Sequence, residues 1–318
     1  MPAQHPRLHV ILSENWTMTD PRDLVRFAGL AAVVERTGLD GVMIGEHVVM
    51  GPHSAFRGEP ENPRDWLMAG NQNPRYPHPS SLVVLSAMAA LTERIQLTAG
   101  ALLTPLRHPL TLAKDLATLD LVSRGRLVLI PGVSWQREEY AALGVPFSRR
   151  GKILDEQLEI WRRLWTDGSP VSAAGEHFEF DEIYVEPAPF RVGGPTLWAG
   201  GKEVSPWLIR RAARYASGFF PIVAPKRDDL DLLGHALAAE GRRISDLRIA
   251  SFVFGPAFQG PDDLLDLDRT LAGVPDLLSL GVTDLVVKPS QFIDDADQLG
   301  DFCADLRRRV KALSAAAA

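Results

Sequence analysis

Short apolar runs alternate with longer stretches of helical period along almost the whole chain. The first run, LHVILS from Leu8 to Ser13, precedes a helix with Asp20 as its expected N-cap, Pro21 at its first position and Gly38 at its exit. Leu24, Ala28 and Ala31 are expected on its buried face. Next come the strand GVMIGEH, a helix over about Ser80 to Thr92, and the strand Ile95 to Pro105. A helix from about Pro109 to Leu121, the turn SRGR and the strand RLVLIPGVSW continue the alternation. The helix Gly151 to Trp165 carries Leu154, Leu158, Trp161 and Trp165, a spacing that lines up one buried stripe. Val171 to Pro187 reads as a hairpin insertion. The strands PTLWAGG, GFFPI, LRIASFVF and DLVVKPS then alternate with helices that include Pro206 to Tyr215 and Asp228 to Glu240, and a helix over about Asp294 to Val310 comes last.

Counted in order, the pattern gives about eight strand-then-helix units, which implies a parallel sheet. The economical closure is an α/β fold of the (β/α)8 TIM-barrel type, one domain over residues 1–318. The dinucleotide fingerprint G-x-G-x-x-G and the phosphate loop G-x-x-x-x-G-K-[ST] are both absent from the sequence.

A barrel of this kind does its chemistry at the C-terminal ends of its strands. The strand endings are Ser13, Glu46 and His47, Thr104, Ser134 and Trp135, Gly200 and Gly201, Pro221, and Lys288. The second apolar run stops on an acid and an imidazole. Neighbouring strand residues point to opposite sides, so Glu46 and His47 share a site only if the chain turns there, as the following Gly and Pro content allows. Two readings stand side by side. In one, Glu46 caps a turn and His47 is a satisfied, partly buried histidine. In the other, His47 handles a proton near neutral pH and Glu46 orients it or holds a polar group of a ligand.

The stretch Val48 to Pro79 lacks a sustained period and carries Trp66, Leu67, Met68 and Tyr76, which predicts a substrate lid over the catalytic end. Gly200 and Gly201, followed by Lys202 and a helix start near Ser205-Pro206, suit the approach of a phosphate.

Composition removes several alternatives. A net charge of −6 leaves no basic surplus for nucleic acid or an anionic membrane. The one basic run, Arg307-Arg308-Arg309 with Lys311, is expected to complement the C-terminal dipole of the last helix. The single cysteine, Cys303, excludes an intrachain disulfide and is a poor nucleophile candidate in a terminal helix. With no long apolar stretch and no signal-peptide pattern, a cytoplasmic location is expected. No G-x-S-x-G elbow occurs, and the eight histidines lack metal-ligand spacing.

Three blocks carry a resemblance: RHPLTLAKDLATLDLVSRGRLVL, then GVSWQREEYAALGVPFSRRGKILDEQLEIWRRLW, then PTLWAGGKEVSPWLIRRAARYASGF. In this order they resemble the luciferase-like flavin and deazaflavin oxidoreductases, nearest the coenzyme F420-dependent branch. The resemblance spans about Leu8 to at least Phe220. It implies a small-molecule oxidoreductase, commonly a homodimer, with a deazaflavin or flavin over the C-terminal strand ends and a separate flavin or F420 reductase system as a possible partner. It implies that Glu46 and His47 touch cofactor or substrate, and that a bulged, non-prolyl cis peptide within Gly100, Ala101 and Leu102 supports the ring. Thr104, Ser134 and Trp135 would line the cofactor site, and Gly200, Gly201 and Lys202 would hold its phosphate. His108 fits the family's His-Pro after the third strand, either as a helix cap or as a cofactor contact. The expected cofactor is coenzyme F420, with FMN the alternative, since Glu46 stands where the F420 branch more often has Asp. The fourth strand reads IPGVSW in place of a glycine-rich motif, so Ile130 and Ser134 reshape the pocket floor. Three functions follow: F420-dependent hydride transfer, FMN-dependent monooxygenation, or flavin binding without catalysis.

Overall fold

In a computed structural model, which describes residues 5–65 and 69–316, eight parallel strands close into a barrel. These are β1 Arg7–Ile11, β2 Gly41–Ile44, β3 Gln96–Leu103, β4 Leu127–Gly132, β7 Thr196–Gly201, β8 Gly218–Pro221, β9 Arg248–Phe252 and β10 Asp284–Val287. Around the barrel the order is β1-β10-β9-β8-β7-β4-β3-β2. The jump from β4 to β7 accommodates an antiparallel hairpin of β5 Val171–Ala174 and β6 Glu179–Ile183. The helices are α1 Leu24–Thr37, α2 Ser81–Ala90, α3 Pro109–Val122, α4 Arg137–Ala142, α5 Arg150–Asp167, α6 Pro206–Tyr215, α7 Arg227–Ala239, α8 Leu267–Leu271, α9 Val274–Leu280 and α10 Leu299–Ala316.

Strand parity sorts the core into two shells. Ile11, Met43, Val128, Ile130, Trp198, Phe220, Ala250, Phe252 and Val286 fill the barrel interior. Their neighbours, such as Val10, Val42, Leu129 and Leu285, face the helices, so each strand is buried on both sides and reads as a continuous apolar run. The α5 stripe is buried as its spacing predicts, with Trp161 and Trp165 stacked 5.2 Å apart and Trp161 Nε1 donating to Pro109 O at 3.0 Å. Burying each of these side chains stabilises the fold by roughly 1.5–3 kcal/mol.

Three sequence expectations are corrected. Asp23, not Asp20, caps α1: its carboxylate accepts from Arg26 N at 3.0 Å, while Asp20 accepts from Arg22 N and shapes the preceding turn, which contains Pro21. Leu24 consequently opens the helix and is exposed, and Phe27, Ala28, Leu30, Ala31 and Val34 form the buried face. The basic run lies mid-helix, because α10 continues to Ala316. There Arg308 and Arg309 pair with Asp305, Arg309 also pairs with Asp268, and Arg307 donates to Thr37 O, the C-terminus of α1 rather than of its own helix. Cys303 is fully buried and its thiol is pushed up to about 12 by burial, which makes it inert. Among the described residues, no helix is long and apolar enough to cross a membrane, and no cluster of ligand-type side chains could hold a metal ion.

Candidate active site

The strand ends nearest Glu46 are built around a bulge. The peptide Gly100-Ala101 is cis, and the register of β3 against β4 shifts between Gly100 and Leu102, where the resemblance implies such a bulge. Three glycines let the backbones come this close. A Cβ on Gly45 would lie 3.0 Å from Gly100 O, one on Gly100 2.8 Å from Ile130 Cδ1, and one on Gly132 2.8 Å from Ala101 Cβ. Ala101 is exposed at the mouth and forms a small, flat ledge, a shape that fits a planar ring system. Leu102 and Thr104, expected beside the cofactor, are fully buried beneath it. Thr104 Oγ1 donates back to Leu102 O at 3.1 Å, so both support the ledge without facing the mouth.

Glu46 braces the strand ends from within. Its carboxylate accepts from Leu103 N at 2.9 Å, Ser81 Oγ at 2.7 Å, and the Arg107 guanidinium at 2.8 and 3.1 Å. With its acceptor capacity committed, Glu46 pins the end of the bulge to α2 and to the turn after β3. That turn is fixed in its own right, since the buried Gln157 of α5 donates to Thr104 O and Arg107 O.

The acid that faces His47 is Glu139 of α4, with His47 Nδ1 and Glu139 Oε2 3.4 Å apart. The two side chains are 9% and 0% exposed. Glu139 also accepts from Ser134 Oγ at 2.8 Å and Val48 N at 2.7 Å. Burial works to raise its pKa, but the His47 contact and these hydrogen bonds outweigh it and hold the carboxyl below its usual value. Ser134 adopts a left-handed backbone, φ 55°, which turns its hydroxyl onto Glu139. Trp135 meets the His47 ring edge-on, centroids 5.8 Å apart. His47, Ser134 and Trp135 therefore form one group with Glu139.

Three further ionisable side chains join this group. His78 lies edge-on to His47 at 5.3 Å, Glu14 approaches His78 to 4.0 Å, and Lys288 approaches Glu14 to 3.9 Å. Burial pushes the pKa of His78 down and that of Lys288 down as well. Lys288 is a strand ending, so the barrel rule finds it. Glu14 and His78 stand in irregular segments, and Glu139 in the polar run WQREEY, so no period marks them.

The three residues of the expected phosphate cup differ in their surroundings. Gly200 and Gly201 are in register with Phe220 and Pro221 of β8, and a Cβ on Gly200 would lie 2.3 Å from Ile130 Cγ2, so Gly200 serves packing against Ile130. Lys202, half exposed and 3.9 Å from Glu203, is the member of the trio that reaches solvent. His108 accepts from Leu110 N at 3.3 Å and caps α3, the first of its two readings.

The long loop after β2 is latched. Gln136 accepts from Gly51 N, Glu138 from His53 N, and the loop then reaches the segments that follow β9 and β10. There Asn62 donates to Gly260 O and Asp263 O, and Arg64 Nε donates to Asp294 Oδ1 at 2.7 Å. Trp66, Leu67 and Met68 of the expected lid lie outside the described residues, and Tyr76 is partly buried.

Fold and site together define a TIM barrel with an exposed Ala101 ledge and a nearly buried imidazole among the C-terminal ends of its strands. Comparison with known proteins gives the family: residues 7–257 match the model of the luciferase-like monooxygenases, and the chain belongs to that family. An uncharacterised Mycobacterium tuberculosis protein, Rv0953c, is 35% identical over 226 residues, covering 67% of this chain and 71% of its own. Among solved structures, the monooxygenase RslO1 from Streptomyces bottropensis superposes with TM-score 0.72 at 19% identity, over 98% of this chain and 100% of that one. An F420-dependent secondary alcohol dehydrogenase superposes with TM-score 0.71 at 14% identity, over 96% and 99%. The fold is thus shared equally by proteins named for the two chemistries.

Proposed function

We propose that this protein is a coenzyme F420-dependent oxidoreductase that moves a hydride between the deazaflavin and a small organic substrate, with His47 as the proton donor or acceptor. The observation that carries this reading is the His47 imidazole, nearly buried and set 3.4 Å from the fully buried Glu139. Hydride transfer to a carbonyl, or from an alcohol, needs one proton moved at the oxygen, and an imidazole can give or take it. When bound, the deazaflavin supplies the hydride. The chain's share is orientation, exclusion of water and the proton. Ala101 would support the ring, Trp135 and His47 would border it, and Lys202 would meet a phosphate.

The second reading is FMN-dependent monooxygenation with O2, favoured by Glu rather than Asp before His47; a flavin-binding protein without turnover is the third. The deciding experiment titrates the ligand-free protein with F420 and, separately, FMN, following quenching of tryptophan fluorescence with Trp135→Phe as control. Selective binding of F420, with quenching reduced in the control, is expected. Selective binding of FMN overturns the proposal. The same reading places the enzyme in a homodimer, with a reductase system to recharge its cofactor.

A further inference from the structure

The mouth contains a second imidazole that the reaction as described so far does not use. His78 arrives at the end of the long loop, and its ring meets that of His47 edge-on, with centroids 5.3 Å apart and planes at 79°. Each ring has its own carboxylate. Glu139 lies 3.4 Å from His47 Nδ1, and Glu14 lies 4.0 Å from His78 Nδ1. Glu14 is in turn 3.9 Å from the Lys288 ammonium, near which Asp65 also stands. Glu46, next in sequence to His47, is turned away onto Arg107 and Ser81. The His78 Nε2 atom is buried and has no hydrogen-bond partner among the described residues.

From this arrangement we infer that His47 and His78 form a one-proton pair, in which the proton held on His47 keeps the neighbouring His78 neutral, so that the mouth carries one imidazolium at a time. The inference rests on the hydride-transfer reading for its purpose, not for its geometry. Two imidazolium charges at this separation repel enough to part their titrations by about two pH units at an effective dielectric constant near 20. The first proton has a partly compensating carboxylate on either side. The second must enter against the first.

The asymmetry of the surroundings places that first proton on His47, whose carboxylate is nearer. His78 is disfavoured as a cation by its burial and by His47, against the opposite pull of Glu14 and Glu139. A pair loaded with one proton matches the demand of carbonyl reduction. With a reduced hydride carrier bound, the carrier would supply the hydride for the new C–H bond while the proton from His47 makes the new O–H bond and the C=O π bond is lost. The reverse reaction returns the proton from the alcohol to His47. Because His78 stays neutral, the pair does not offer the substrate a second proton.

The test uses ligand-free protein with 15N-labelled histidine and follows the imidazole nitrogens by NMR from acid to neutral pH. In the unmodified protein, His78 is expected to titrate about two units below His47. His47→Gln should raise the His78 titration by about one to two units, because the competing charge is gone. Glu14→Gln should lower it further, and His78→Gln should remove the lower step while leaving that of His47 in place. Unchanged titration of His108 and His235 serves as the check that each variant is folded. If His78 titrates at the same pH with and without His47, the pair does not exist and the inference falls. Cofactor choice does not enter this measurement, so an F420 titration that fails leaves the pair standing, and an uncoupled pair leaves the F420 reading standing.

Discussion

Glu139 is buried, yet it stays ionised because hydrogen-bond donors reach it from three directions: the His47 ring, the Ser134 hydroxyl and the Val48 amide. Its folded pKa lies below that of an unfolded glutamate, about 4.3. The unfolded chain therefore binds more protons in that window, so the stabilisation is complete above the unfolded value and is lost as pH falls through the folded one. Glu139→Gln keeps the shape and can still accept from Val48 N, but it removes the charge beside His47. A loss of about 1–3 kcal/mol is expected at about pH 7 and a smaller one at an acid pH below the unfolded value. Urea unfolding of both proteins at the two pH values measures it, and an equal deficit at both would remove the charge argument. The same residue shows where sequence reading stops. His47 was visible because it ends an apolar strand, whereas Glu139 lies in a short helix with other acids beside it, and only the folded backbone decides which of Glu138 and Glu139 turns inward.

At the scale of elements, the site depends on a sequence of braces running inward from α5. Gln157 fixes the carbonyls of the turn after β3, that turn aims Arg107, Arg107 holds Glu46, and Glu46 holds the Leu103 amide at the end of the bulge. Removing Arg107 leaves a carboxylate buried and half satisfied. Arg107→Ala is expected to cost about 3 kcal/mol, the low end for a broken buried pair because the guanidinium is a quarter exposed. Arg107→Lys should recover less than half of that, since an ammonium cannot bond both oxygens in the bidentate geometry. Thermal unfolding gives the order, and a lysine variant as stable as the parent would show that charge alone suffices. The elements themselves were largely legible: the strand order, the α5 stripe and the exact span of α6 follow from period and turn chemistry. The misreadings have one cause. A local signal such as Asp20-Pro21 is compatible with several backbones, and packing selects among them. Asp23 wins the cap.

At the scale of the molecule, α2 is the element whose surroundings are incomplete. Its sequence, SLVVLSAMAA, is apolar on every face, although only one face can lie on the barrel. Ser81, Val84, Leu85, Met88 and Ala89 are buried there, while Val83 is 70% exposed and the adjoining Leu91 52%. The neighbouring helices add Val25 of α1 and Leu121 and Val122 of α3 to the exposed apolar residues. A helix of this composition gains little by facing water, and a two-fold axis over α2 would let one copy cover the other with a single self-complementary surface. If the protein forms the proposed homodimer, this surface is its expected contact. Val83→Glu combined with Leu91→Glu adds like charges to both sides of such an axis at once, so dissociation to monomers is expected by light scattering. The active site draws its residues from other elements, apart from the Ser81 contact to Glu46 at the buried face of α2. Cofactor affinity should therefore fall less than about threefold, since the substitutions lie on the opposite face and surface changes of this kind rarely exceed about 0.5 kcal/mol locally. A parent protein that is monomeric at every concentration, or a double variant that remains dimeric, would move the interface elsewhere on the barrel.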